Sequence, residues 1–180
     1  LKEKKLKYIF DINVTDPGFL NFKILPLFFQ KQVDLILEKG ENFGKGSIGF
    51  GKSANVEFVS ANPTGPLTVG HGRNAVLGDT ISKILEWQSF NVTREYYFND
   101  AGRQMRMLGK SVEARYFEIL GKNFVFPKDG YQGKYILDIA KHIIKHKGNN
   151  LKYGDNIFQK GAEKIIFKEI KRSLVDLGIK

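Results

Sequence analysis

The chain has 180 residues, 42% of them hydrophobic and 13% aromatic, enough to build a core in one or two domains. It contains no cysteine, which excludes disulfides and thiolate metal sites, and no apolar run near the about 20 residues needed to cross a bilayer. Lys and Arg total 29 against 19 Asp and Glu, a formal net charge of +10 that suits a polyanionic partner, nucleic acid above all, and equally a lysine-rich solvated surface, since the charge is spread along the chain.

The opening LKEKKLKYIF lacks the apolar stretch of a signal peptide, so a cytoplasmic protein is the expectation. Tyr8 to Val14 alternates as a strand, Asp16-Pro17-Gly18 makes a turn, and Phe19 to Leu25 reads as the returning strand of a hairpin. Pro26 can open a helix, because the N–H it lacks would have no partner in the first turn anyway. Leu27, Gln30, Val33, Asp34 and Leu37 follow at helical spacing. This small α+β piece ends near Gly40, and the Gly-rich stretch Glu41 to Ser53 reads as a linker. Asn55 to Ser60 (NVEFVS) is the next strand. A helix beginning near Gly72 carries Ala75, Leu77, Ile81, Ile84, Leu85 and Trp87 close to a 3.6-residue period. Val92 to Phe98 is a second strand. Asn99-Asp100-Ala101-Gly102 then turns into a helix expected to bury Met105, Leu108, Val112, Tyr116 and Ile119. Strand, helix, strand, helix is the βαβ pattern of a parallel sheet. Phe126 to Gly133 is a loop. Tyr135 to Lys147 is helical, with Ile136, Ile139, Ala140, Ile143 and Ile144 on its apolar face, and Ala162 to Leu177 is helical again. Gly121 to Lys180 therefore reads as a helical insertion. The chain opens at Leu1 inside a strand-like stretch and stops after a helical one, which suggests a fragment of a larger protein.

Two segments have the look of phosphate sites. Gly46 to Ser53 (GSIGFGKS) matches the P-loop pattern residue for residue, but that motif works between a strand and a helix, and here a strand follows it. The run Ala61-Asn62-Pro63-Thr64-Gly65-Pro66-Leu67-Thr68-Val69-Gly70-His71 has the right context. It joins a strand to a helix through a tight Gly/Pro turn, so the free N–H groups of the first helical turn face an anion and His71 can donate beside them. Glu57 and Asn62 flank this turn; their bland alternatives are an exposed strand carboxylate and a turn residue before Pro63. Asp100 and Gln104 follow the second strand, at the sheet edge where open α/β sheets hold ligands, although Asn99 or Asp100 could equally be a helix N-cap. His142 and His146 have a zinc-compatible spacing without an evident third ligand, and a solvated basic face is the simpler reading. Asn91-Val92-Thr93 matches a glycosylation acceptor but sits within a strand.

The runs NVEFVSANPTGPLTVGHGRNAVLGD and VTREYYFNDAGRQ, continued by PKDGYQGKYI and preceded by DPGFLNF, resemble the start of the catalytic domain of the class I arginyl-tRNA synthetases and the end of their N-terminal additional domain. The resemblance covers nearly the whole chain. It implies an α/β fold: the first half of a Rossmann-like parallel-sheet nucleotide-binding domain with a helical insertion, preceded by part of a small α+β domain. The implied limits are 1–50 for that domain and linker, 51–120 for the catalytic half and 121–180 for the connective insertion. The family's HIGH motif falls on Thr68-Val69-Gly70-His71. His71 would bind ATP and stabilise charge on the α-phosphate as the arginine carboxylate attacks and pyrophosphate leaves, with Thr68 as its catalytic partner; Gly70 would lie against the nucleotide. Glu57, Ser60 and Asn62 would bind arginine, and Asp100 and Gln104 would border the site. ATP with its Mg2+, L-arginine and tRNA(Arg) are the implied ligands, with no protein-held metal and no membrane. One departure stands out: the family usually has His where this chain has Thr68. The KMSKS signature is not among these residues, so the chain alone is expected not to aminoacylate tRNA. Another HxGH-type nucleotidyltransferase, a P-loop NTPase and a non-catalytic RNA-binding module are the competing readings.

Overall fold

The computed structural model describes residues 7–179. The chain divides into two compact units, Leu1–Ser47 and Ile48–Lys180. In the first, β1 (Ile9–Thr15) and β2 (Phe19–Ile24) form an antiparallel hairpin paired from Ile9↔Ile24 to Thr15↔Phe19. Its turn contains a cis Asp16–Pro17 bond and closes with Gly18 N–H donating to Thr15 O at 2.9 Å. Helix α1 (Pro26–Lys39) starts on its proline as expected and stops at Gly40, whose φ of 50° is left-handed. None of its residues is buried; Leu27, Val33 and Leu37 all remain exposed.

The second unit runs β3 (Ser53–Glu57), α2 (Val69–Trp87), β4 (Asn91–Glu95), α3 (Gly102–Ile119), α4 (Lys134–Lys147) and α5 (Ile157–Asp176). Strands β3 and β4 pair in parallel from Ser53↔Asn91 to Glu57↔Glu95, with α2 as the crossover, which is the expected βαβ unit of an α/β fold. Both strands stop earlier than their sequences suggest. Phe58 N–H still donates to Glu95 O, but Val59 and Ser60 then adopt φ of 65° and 39°, so Phe58 to Ser60 form a turn and Tyr96 to Phe98 have no strand to pair with. Helix α2 starts at Val69 rather than Gly72, and α5 starts at Ile157 rather than Ala162.

The buried face of α2 is not the one its periodicity points to. Leu77, Ile81, Ile84 and Trp87 are exposed, and Ala75, Gly78, Asp79 and Ser82 face inward. The reason is close approach: a Cβ on Gly78 would stand 2.3 Å from the Phe58 side chain, so only a small residue lets the helix lie down there. Helices α3, α4 and α5 pack on one another around Met105, Leu108, Val112, Tyr116, Phe117, Ile136, Ile139, Ile143, Phe158 and Ile166. Each such large side chain contributes about 1.5–3 kcal/mol on burial, which makes this the main core of the chain. Ile119, expected on the buried face of α3, is exposed because it lies in the last turn, where the chain peels away.

Candidate active site

The turn from β3 into α2 is built around its cap. Thr68 is the N-cap of α2; its Oγ1 accepts from His71 N–H at 3.4 Å, and His71 Nδ1 in turn accepts from Thr68 N–H at 3.1 Å. This reciprocal capping box uses two of the helix's free donors. The N–H groups of Val69 and Gly70 make no hydrogen bond among the described residues and remain for an anion. The box also fixes the histidine. Because Nδ1 accepts from a backbone N–H, the neutral ring carries its proton on Nε2, as a donor pointing away from the cap. A Cβ on Gly70 would meet nothing closer than Thr68 Oγ1 at 3.6 Å, so the surface beside His71 is open for a ligand. These features fit the phosphate chain of a nucleotide.

The preceding loop is held from outside. Tyr96 donates its hydroxyl to Ala61 O, and Tyr135, from the first turn of α4, donates to Thr64 O at 2.8 Å. Burial pushes both phenols above their ordinary range, so they stay protonated and keep donating. Gly65 lies under Tyr135, whose hydroxyl would stand 3.1 Å from a Cβ there. Ala61 and Pro63 are buried, Thr64 N–H donates to Asn62 O, and Leu67 packs against the helical core.

At the end of β3, Glu57 accepts from the Ser60 hydroxyl at 2.7 Å, and Ser60 Oγ accepts from Tyr97 N–H at 3.0 Å. One carboxylate oxygen of Glu57 is thereby oriented, and the other makes no hydrogen bond among the described residues. Asn62 Nδ2 donates to Gln104 Oε1 at 2.5 Å, joining two residues that lie 42 positions apart. Asp100 joins neither pair. Its charge is felt instead at Glu163 of α5, whose carboxyl is raised first by burial and then by Asp100. Neither Asn99 nor Asp100 caps α3. The N-cap is Ala101, whose N–H bonds Asn99 Oδ1 at 3.3 Å.

Three contributors went unseen in the sequence. Asn74 Oδ1 accepts from Val59 N–H at 2.5 Å and so secures a left-handed valine, a costly conformation for a β-branched residue. Tyr96 and Tyr135 are the other two; a half-buried tyrosine hydroxyl needs a partner, but the sequence does not say which. The P-loop look-alike runs straight into β3 with no helix after it. Gly49 lies against the Phe90 ring, and its N–H donates to Gln88 O at 2.8 Å. The described residues hold no group of three metal-ligating side chains; the rings of His142 and His146 lie 4.2 Å apart, tilted by 40°.

The family model for the catalytic domain of tRNA synthetases class I (R) matches residues 32–146. The arginine–tRNA ligase of Desulfotalea psychrophila is 49% identical over 170 residues, covering 93% of this chain and 31% of that protein. That of Chlorobium phaeobacteroides is 51% identical over 171 residues, 94% of this chain and 31% of the relative. A solved structure from Campylobacter jejuni, assigned as an arginyl-tRNA synthetase, superposes with a TM-score of 0.73 at 35% identity over 85% of this chain and 34% of that one. The Plasmodium falciparum arginyl-tRNA synthetase shares the fold, with a TM-score of 0.52 at 20% identity. The chain thus spans about a third of the length of the relatives it matches. With its nucleotide-type turn, its parallel βαβ unit and a model match over more than half its length, the chain belongs to the class I (R) tRNA synthetase family and carries part of that family's catalytic domain.

Proposed function

We propose that this chain forms the ATP- and arginine-facing half of an arginine-activating site, and that the protein it represents joins arginine to tRNA(Arg) at the expense of ATP and Mg2+ in the cytoplasm. The carrying observation is the Thr68–His71 capping box, which leaves the N–H groups of Val69 and Gly70 without a partner among the described residues and turns the Nδ1 of His71 to the cap, leaving Nε2 as its free donor. There His71 would donate to an α-phosphate oxygen, Val69 and Gly70 would offer their amides, and the loop from Ala61 to Leu67 would wall the nucleotide. Thr68 would act through His71 by holding its ring. Glu57, with one free carboxylate oxygen, would take the guanidinium side on, in the geometry a planar fork favours. Ser60 and Asn62 would complete that pocket, and Gln104 would orient Asn62. Asp100 would border the site from the β4 end. The segmentation that accompanies this reading is an additional domain and linker over 1–50, the catalytic half over 51–120 and the connective insertion over 121–180.

Arginine should raise the melting temperature of the chain, and Glu57→Ala should abolish that shift. Removing a charge-assisted pair worth about 1.5–3 kcal/mol weakens arginine binding about 10- to 150-fold. Because Glu57 is an exposed residue, the variant's own melting temperature should stay near the parent's. Protection by ATP alone, or arginine protection that survives Glu57→Ala, would point to a different nucleotidyltransferase.

A further inference from the structure

Helix α4 carries a pair of histidines in its last two turns. His142 and His146 stand one turn apart, with ring centroids 4.2 Å from each other and the rings tilted by 40°. Both are exposed and border the groove of about 850 Å³ between α4 and α5, which shares no residue with the loop from Ala61 to Leu67. Neither imidazole makes a hydrogen bond or an ion pair among the described residues. In this they differ from His71, the third histidine of the chain, whose Nδ1 is committed to the Thr68 cap.

Two imidazoles one helical turn apart can bind a single metal ion together. Ring nitrogens bonded to one ion at the usual length, with a right angle between them, stand about 2.9 Å apart. Rings whose centroids are already 4.2 Å apart reach that separation by turning about their side-chain bonds, with no change in the helix. The donor set selects the ion. Neutral nitrogen suits late first-row divalent ions, Cu2+ most of all, whereas Mg2+ and Ca2+ take oxygen ligands. A structural zinc site closes on four protein ligands. Here no third histidine, cysteine, aspartate or glutamate joins the pair among the described residues, so water fills the remaining positions. The surrounding charge acts in both directions. The C-terminal end of a helix dipole favours a cation, and His146 lies in the last turn of α4. Lys145 and Lys147 flank it and Lys164 borders the same groove, and these oppose a cation. We propose that His142 and His146 form a two-imidazole site for a late first-row divalent cation of the Cu2+ and Ni2+ class, with water completing the coordination. The bound ion ties together the last two turns of α4. The site is independent of the arginine-activating reading.

The test is a calorimetric titration of the chain, without a histidine tag, with Cu2+ and separately with Ni2+, joined to electron paramagnetic resonance of the Cu2+ complex. One ion should bind per chain, and the spectrum should show two imidazole nitrogens. Saturating metal should raise the melting temperature, because the folded helix alone holds the pair in register. His142→Gln and His146→Gln should each weaken binding by about tenfold or more, since the second imidazole acts at high effective concentration, and each should remove the melting shift. His71→Gln should leave both the affinity and the shift in place. Both groove histidines are exposed, so without metal their variants should melt as the parent does. Raising ionic strength with a non-coordinating salt should tighten binding, because it screens the lysines around the pair. Parent-like affinity in either groove variant would overturn the proposal, and so would binding that loosens as salt is added. Several weak equivalents with no two-nitrogen spectrum would mean scattered surface imidazoles and would overturn it as well.

Discussion

A threonine at the first position of the Gly-His turn gives up the charge an imidazole could carry and gains a helix cap. Ser, Thr, Asp and Asn at an N-cap are worth about 1 kcal/mol over residues that cannot accept there. The Thr68 hydroxyl also lies 3.1 Å from His71 Nδ1, so the residue that departs from the family pattern is the one that sets the orientation of the residue that keeps it. The place of Gly70 and His71 in the first turn of a helix was legible in the sequence because a strand–turn–helix is a local pattern. The capping box was not, since a histidine as the reciprocal partner is an unusual substitute for Glu or Gln. Gly70 separates function from fold. Its φ is not left-handed, and a Cβ would meet only Thr68 Oγ1 at an ordinary 3.6 Å. Gly70→Ala should therefore leave stability unchanged or raise it by about 0.4–1 kcal/mol, because alanine has fewer unfolded conformations to lose. On the proposed reading the same methyl group would stand where the nucleotide packs, and ATP affinity should then fall by about tenfold or more, equal to at least 1.4 kcal/mol. Urea melts and an ATP titration on one preparation decide it; equal ATP affinity would mean that no nucleotide approaches Gly70.

At the scale of elements, α2 shows where reading a period goes wrong. Its large apolar residues recur at helical spacing, and that recurrence marks a stripe without saying which side of the helix meets the sheet. The sheet side is chosen by fit: Gly78 accommodates Phe58, Ser82 donates back to Gly78 O at 2.8 Å, and Asp79 turns inward to a charge. On α3 and α4 the large residues do face a core, since three helices meeting one another have room for them, and there the period read true apart from Ile119. The inward Asp79 belongs to a clamp between α2 and β4. Arg94 binds Glu86 with both terminal nitrogens and reaches Asp79 at 3.5 Å, while Lys83 binds Asp79 at 2.6 Å. The hydrogen bond from Arg94 holds the Glu86 carboxyl below its usual range, against the opposing effect of its partial burial. A carboxyl depressed in the folded state adds stability above its unfolded pKa and loses it as pH falls through the folded one. Arg94→Met should cost about 1–3 kcal/mol at neutral pH by leaving Asp79 with one exposed lysine. It should also flatten the loss of stability on acidification, because the carboxylate advantage is already gone. Chemical denaturation at neutral and acidic pH measures both; a parallel downward shift of the whole pH profile would show that Glu86 draws nothing from Arg94.

At the scale of the molecule, the parallel βαβ unit and the three-helix core come from different sequence signals, and their joints from none. Strand, helix and loop order could be read along the chain, because each is a local pattern. That Asn62 meets Gln104, that Val59 meets Asn74, and that a tyrosine of α4 meets the carbonyl of Thr64 are pairings across 42, 15 and 71 positions. No local pattern encodes them. The last of these ties the helical layer to the candidate site. Tyr135 donates to Thr64 O and covers Gly65, so the loop from Ala61 to Leu67 has its outer wall on α4 while its far end is the cap of α2. Tyr135→Phe keeps the ring over Gly65 and removes only the donor. The Thr64 carbonyl then turns to water or goes unpaired, and global stability should drop by about 1 kcal/mol, the ordinary worth of one hydrogen bond. The larger effect should be local. Hydrogen exchange at Thr64, Gly65 and Leu67 should quicken while the amides of α3 and α5 keep their protection, and ATP should bind more weakly because the loop must be ordered at the ligand's expense. If exchange in the loop stays as slow as in the parent, Tyr96 and the Thr68 cap suffice to hold it, and the helical layer has no part in shaping the nucleotide site.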